Sequence, residues 1–152
     1  MHAMILAAGH GERMLNLTND KPKSLLEIAG KPLIIYQIEA LVLAGVKKIV
    51  INTGKFGNQI HDNLGDGKNF HVKIIYSDEG DSPLETAGGV ARALPLLEEQ
   101  TFILTNADVF TNFDYRMLFS THDNCDAHIV LVDNPEHNKQ GDFVLDKGRI
   151  LI

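Results

Sequence analysis

A single cysteine, Cys125, is all the chain contains, so no intrachain disulfide can form. That scarcity fits a reducing cytoplasm, where a fold is held by its core and not by cross-links. Apolar runs are short; none approaches the ~20 residues a helix needs to span a bilayer. The first residues, Met1 to Leu6, carry no basic stretch and no cleavage pattern, which speaks against a secretory signal. Positive charge is also in short supply: 14 Lys and Arg face 20 Asp and Glu, for a net charge of −6. A general binder of nucleic acid or of anionic membranes would show the opposite balance. The histidines show no H-E-x-x-H spacing, which argues against a zinc site, and there is no G-x-S-x-G nucleophile elbow. Internal repeats and low-complexity segments are absent.

What is present is an ordinary folding composition, with 44% hydrophobic and 22% charged residues over 152 positions, the size of one domain with a proper core. Hydrophobic patterning predicts strands at Ala3–Ala8, Lys48–Asn52, Val72–Tyr76, Thr101–Thr105 and Ala127–Val132. Helices are predicted between them. One follows Pro32, runs through Leu33, Tyr36, Ile38, Leu41 and Leu43, and stops at Gly45. Others cover Phe56–Leu64, closed by Gly65-Asp66-Gly67, then Leu84–Leu97 and the short Tyr115–Ser120. A hairpin is expected at the end, turning at Asp146-Lys147-Gly148. Strands and helices alternating in this way imply right-handed βαβ units: an α/β, Rossmann-like fold with a mostly parallel central sheet and helices on both faces. Ligands of such sheets bind beyond the carboxyl ends of the strands, which places Gly9, Thr53, Ser77 and Asp108 on one edge.

The most informative stretch is the first. A buried strand runs into Gly9-His10-Gly11-Glu12-Arg13-Met14, and a long loop follows, ending in Lys21-Pro22-Lys23. Glycines let the backbone turn and bring bare N–H groups close to a ligand, and successive N–H groups form an anion-binding concavity. Arg13 and Lys23 add fixed positive charge, the arginine as a fork suited to phosphate oxygens. A polyphosphate site fits this set; a solvated loop with a common tight turn would also produce it. The dinucleotide fingerprint fails because its third glycine position is Met14, and the P-loop fails because no Gly-Lys-Ser/Thr follows.

Leu6-Ala7-Ala8-Gly9-x-Gly11-x-Arg13-Met14, Lys21-Pro22-Lys23-Ser24-Leu25 and Ala29-Gly30-Lys31-Pro32-Leu33-Ile34 together resemble the signature of the sugar-phosphate nucleotidyltransferases. The resemblance continues through Glu85-Thr86-Ala87-Gly88-Gly89, Asn106-Ala107-Asp108, Asp133-Asn134-Pro135 and Gly141-Asp142-Phe143. It implies attack by a sugar 1-phosphate oxygen on the α-phosphorus of a nucleoside triphosphate, with release of pyrophosphate. Within the family it favours UTP and N-acetylmuramic acid 1-phosphate, a reaction of cell-wall recycling. Other nucleotides with glucose 1-phosphate, mannose 1-phosphate or phosphocholine are alternatives, as is a non-catalytic nucleotide-sensing module.

The resemblance also assigns residues. Leu6, Ala7, Ala8, Gly9, Gly11, Glu12, Arg13, Lys23, Glu85 and Gly88 would contact the nucleotide. Arg13 would hold the leaving pyrophosphate and Lys23 the α-phosphate; each lost donor would raise the barrier by about 3 kcal/mol. Asp108 would bind Mg²⁺, which is satisfied by one or two carboxylates plus phosphate oxygens and water. By residue type alone, Asn106 and Asp108 would equally cap a turn. Asn106 and Asp142 match positions that contact the sugar. The chain departs from the pattern at Asn16, where proline is usual, and at Ala107, where glycine is common. A second metal-binding aspartate belongs to a later segment of the family pattern, and the chain stops at Ile152 within a strand pair. It is therefore expected to be a single, C-terminally truncated domain that keeps the nucleotide half of the site and lacks one metal ligand and part of the sugar pocket.

Overall fold

Apolar strands that are buried on both faces belong in the middle of a layered sheet, and Ala3-Met4-Ile5 and Ile49-Val50-Ile51 are buried without exception. A computed structural model describes residues 1–9, 18–80, 84–98, 101–120 and 125–151. The chain divides into two compact units, Met1–Met117 and Leu118–Ile152.

The first unit holds a four-stranded parallel sheet. Its strands are β1 (His2–Leu6), β4 (Lys48–Thr53), β5 (Lys73–Asp78) and β6 (Phe102–Asn106), in the order β5-β4-β1-β6. A two-stranded antiparallel ribbon, β2 (Glu27–Ile28) and β3 (Lys31–Pro32), precedes helix α1 (Leu33–Leu43). Ala29 and Gly30 turn the ribbon with φ of 52° and 77°. This is the mirror-image turn that suits two-residue hairpin loops, in a stretch where the sequence pattern predicts no strand. Helix α2 (Gly57–Leu64) links β4 to β5, and α3 (Glu85–Ala93) followed by a 3-10 turn at Leu94–Leu97 links β5 to β6.

The boundaries have local causes. Pro32 stands at the N-cap of α1, and Gly45, at φ 92°, ends it by donating its N–H to the Val42 carbonyl. Pro95 turns the end of the α3 segment into 3-10 geometry, since it cannot donate to the preceding turn. The step from β1 to β4 and the step from β5 to β6 run in opposite directions across the sheet, so right-handed crossovers carry α1 and α3 over opposite faces. Met4 and Val50 pack with Ala93 and Leu97 on one of them. Ala3, Ile5, Ile49 and Ile51 point to the other by strand alternation and are equally buried.

In the second unit, β7 (Val144–Asp146) and β8 (Arg149–Leu151) pair antiparallel. Lys147 (φ 48°) and Gly148 (φ 78°) form their turn, as expected. The strand expected at Ala127–Val132 is not formed. That run has no ladder partner, and Ile129, Val130, Leu131 and Val132 are all exposed. β-branched residues suit a strand only when a neighbouring strand supplies hydrogen bonds and a packing surface.

Leu41, on the buried stripe of α1, is fully inaccessible. Leu41→Ala is expected to lower the unfolding free energy by about 2–5 kcal/mol, read as an earlier urea midpoint with an unchanged far-ultraviolet spectrum.

Candidate functional site

The strand ends define where the site lies. Leu6 of β1 sits in register with Asn52 of β4 and with Asn106 of β6, and Asn52 with Ser77 of β5. From β1 the chain moves to β4 and β5 on one side, then returns to β6 on the other, so strand order reverses between β1 and β6. Ligands of open α/β sheets bind at that reversal. Ala7-Ala8-Gly9 leaves β1 there, and Asn106-Ala107-Asp108 leaves β6 beside it; the Ala107 N–H donates to the Leu6 carbonyl at 2.9 Å.

Two of the charged residues singled out in the sequence meet at this point. Lys23 starts a 3-10 turn, Lys23–Leu25, whose Ser24 and Leu25 are buried and whose Leu26 N–H donates to the Lys23 carbonyl. The turn delivers the Lys23 ammonium to Asp108, with Nζ donating to Oδ2 at 2.5 Å. Each side chain keeps 34% of its surface exposed, so both remain within reach of a ligand. Among the described residues no three His, Cys, Asp or Glu side chains converge to hold an ion. Asp108, one-third exposed, is a donor of the kind that suits Mg²⁺, an ion satisfied by one or two carboxylates when phosphate and water supply its other ligands.

The turn carrying Asp108 is anchored from below by α1. Gln37 is buried, and its Nε2 donates to the Val109 carbonyl at 2.5 Å. Its Oε1 accepts from the Tyr115 hydroxyl at 2.6 Å, and Thr105 Oγ1 lies 3.3 Å from the same oxygen and 3.0 Å from that hydroxyl. Burial pushes the Tyr115 phenol above its ordinary pKa, against the lowering effect of Thr105. The hydroxyl therefore stays a donor across the neutral range.

The opposite wall is held by a second buried amide. Asn52 Oδ1 accepts the Ala7 N–H at 2.8 Å, and its Nδ2 donates to Glu79 Oε1 at 2.7 Å. The other oxygen of Glu79 accepts the Leu84 N–H at 2.9 Å, just before α3 begins. Glu85, the first residue of α3, has φ 58°, an unusual conformation for a residue with a side chain. Gly89 is buried against this group: a Cβ there would stand 2.5 Å from Glu79 Oε1 and 2.9 Å from Asn52 Nδ2.

The remaining sequence-predicted positions distribute as follows. Leu6, Ala7 and Ala8 form the end of β1 and its exit. Gly9 is exposed and outside the left-handed region, and among the described residues nothing lies within 4 Å of where a Cβ would be. Ala7, Ala8, Gly9, Pro22, Gly54 and Phe56 line a small recess at this end of the sheet. Glu85 and Gly88 lie on the first turn of α3, Glu85 exposed and Gly88 partly so. Asn106 is exposed at the end of β6. Asp142 belongs to the second unit, where its Oδ1 accepts from Asn138 Nδ2 at 3.1 Å. His10, Gly11, Glu12 and Arg13 lie outside the described residues. Gln37, Asn52 and Glu79 were not singled out by motif; their signal in the sequence is a polar residue set within or just after an apolar run.

Residues 2–147 match the family described as "Nucleotidyl transferase". The N-acetylmuramate alpha-1-phosphate uridylyltransferase of Neisseria meningitidis serogroup B is 52% identical over 149 residues, covering 95% of this chain and 64% of that protein. The enzyme of the same name from Caulobacter vibrioides is 44% identical over 108 residues, covering 70% of this chain and 45% of that protein. The chain thus spans less than two thirds of the length of these curated relatives. Among solved structures, HddC from Yersinia pseudotuberculosis complexed with GMP-PN superposes with a TM-score of 0.70 at 28% identity, covering 79% of this chain and 53% of that one.

Replacing Gln37 by leucine removes the partner of the Val109 carbonyl and the acceptor used by Tyr115. Gln37→Leu is expected to cost about 1–3 kcal/mol of stability, measured by urea unfolding. A variant as stable as its parent would remove Gln37 from its anchoring role.

Proposed function

This chain belongs to the nucleotidyl transferase family, and from that premise we propose that it transfers the uridylyl group of UTP to N-acetylmuramic acid 1-phosphate. In this reading an oxygen of the sugar phosphate attacks the α-phosphorus of UTP. A new P–O bond forms, the bond from the α-phosphorus to the β-phosphate oxygen breaks, and pyrophosphate leaves. The identity to the Neisseria enzyme supports the choice of nucleotide and acceptor. The observation that carries the reading is the Lys23–Asp108 pair at the reversal of strand order.

The attacking oxygen is already an anion, so no general base is required, and the protein's task is positioning and charge neutralisation. Lys23 presents three N–H donors, of which one rests on Asp108. The others are available to the oxygens of the α-phosphate, where negative charge is redistributed as the bond breaks. The Ala7-Ala8-Gly9 backbone and the first turn of α3 supply the two walls between which the nucleoside is held. Arg13, from the family motif, takes the leaving pyrophosphate. Asp108 would hold Mg²⁺. When bound, the ion would supply charge neutralisation to the phosphate oxygens. The motif resemblance assigns Asn106 to the sugar.

The test is a thermal-shift panel of UTP, dTTP, CTP, GTP and ATP on the 152-residue chain, with and without Mg²⁺. At about 100 times its Kd a ligand stabilises by roughly 2.7 kcal/mol, a shift of several degrees at this size. UTP is expected to give the largest shift, and Mg²⁺ to enlarge it. Asp108→Ala should abolish the Mg²⁺-dependent part, and Lys23→Ala should weaken UTP with or without the ion. A larger shift with a purine nucleotide, or none with any, overturns the assignment.

A further inference from the structure

We infer that Glu79 and Asn52 form a positioning clamp for the nucleoside: three hydrogen bonds in series that hold the backbone leaving β1 against the backbone starting α3. This rests on the nucleotide reading above and goes beyond it, because neither residue touches the Lys23–Asp108 pair or belongs to the motifs that point to phosphate.

The polarity of the chain of bonds allows only one arrangement. The Ala7 N–H is a donor, so it fixes the Asn52 amide with its oxygen toward β1. Nδ2 must then face α3, and it needs an acceptor. The Leu84 N–H, also a donor, needs an acceptor from the same direction. The two donors meet separate oxygens of Glu79, and a carboxylate accepts at both. Glu79 is itself fixed, since its N–H donates to the carbonyl of Thr53, the last residue of β4. Asn52 is 3% exposed, so water does not readily replace either partner.

Two further observations converge on the same group. Gly89, within Glu85-Thr86-Ala87-Gly88-Gly89, leaves the space that the Glu79 carboxylate fills. The second glycine of that motif thus serves this contact and not the ligand directly. Glu85 holds a left-handed backbone, which persists only where its surroundings over-determine it. The bond from the preceding N–H, that of Leu84, to the Glu79 carboxylate is one contact that does so.

The sign of the effect separates a clamp from simple electrostatics. A nucleoside triphosphate is strongly anionic, so removing a nearby carboxylate charge would by itself strengthen binding. Loss of the clamp weakens it. Glu79→Gln keeps the shape but sets an NH₂ group against either Asn52 Nδ2 or the Leu84 N–H. Asn52→Asp sets two carboxylates face to face. The double variant Asn52→Asp with Glu79→Gln restores every bond with the polarity of the middle one reversed. Its carboxylate at position 52 accepts from Ala7 and from the amide nitrogen at position 79, and the amide oxygen at position 79 accepts from Leu84.

The experiment is calorimetric titration of the 152-residue chain with Mg²⁺ and UTP, at a temperature where unfolding scans show each variant folded. Each single variant is expected to bind UTP about tenfold more weakly, the order expected when one buried donor loses its acceptor. The double variant should return to near the parental Kd. Gly89→Ala, which displaces Glu79 while favouring the helix, should weaken UTP in the same way and serves if a polar variant fails to fold. Parental or tighter binding by Glu79→Gln, or a double variant as weak as the singles, overturns the clamp. Parental affinity with only a lowered Tm would overturn it too and assign the group to stability alone. If the parent chain binds no nucleoside triphosphate, the uridylyltransferase reading fails first and the clamp with it.

Discussion

Parallel pairing on both sides of β1 is the constraint from which the rest of the first unit follows. A strand with parallel neighbours on each edge must be reached by crossovers, and those crossovers cover both faces. That is why Ala3-Met4-Ile5 and Ile49-Val50-Ile51 are apolar without alternation. Parallel pairing also sends every carboxyl end to the same edge, so the segments after Leu6, Asn52, Ser77 and Asn106 meet although they are scattered along the chain. The reversal of order next to β1 then sets Ala7-Ala8-Gly9 beside Asn106-Ala107-Asp108. The site is a consequence of strand order before it is a consequence of any side chain.

At that edge the Lys23–Asp108 pair is well placed for work and poorly placed for stability. An ion pair one-third exposed on both sides contributes little to folding, with screening and side-chain entropy offsetting most of its attraction. A phosphate can therefore approach Lys23 without forfeiting much of the fold's free energy. Positive charge is local, in a chain whose net charge is −6. Under the proposed function, selectivity for an anion at this edge rests on a few placed cations and backbone N–H groups, not on a field over the whole surface.

Much of this was legible from residues alone, and the failures are specific. Pro32 and Gly45 bracket α1 because each acts on its own backbone, a local effect that sequence records directly. Lys23 and Asp108, 85 positions apart, were singled out separately by motif, and the fold brings them together. Ala127–Val132 had the composition of a strand and lacks a partner, which no local pattern can supply. The β2–β3 ribbon was hidden because Ala29 adopts a left-handed conformation in which glycine or asparagine is the usual marker. Gln37, Asn52 and Glu79 escaped notice because periodicity scores a polar residue in an apolar element as an interruption. Its partners are non-local, and only the folded arrangement shows that its hydrogen bonds are met.

Those three interruptions share a logic. A loop at a sheet edge has few hydrogen bonds of its own and is free to adopt many conformations. A strand or helix next to it is rigid, and a buried amide on that rigid element can hold a loop in place through donors and acceptors of fixed direction. Gln37 does this for the Asp108 turn through Val109, and Asn52 does it for the exit of β1 through Ala7. Each buried amide would be costly if left unpaired, so each loop conformation that satisfies it is selected over those that do not. The same desolvation penalty that normally keeps polar side chains out of a core here specifies the geometry of the loops at the sheet edge.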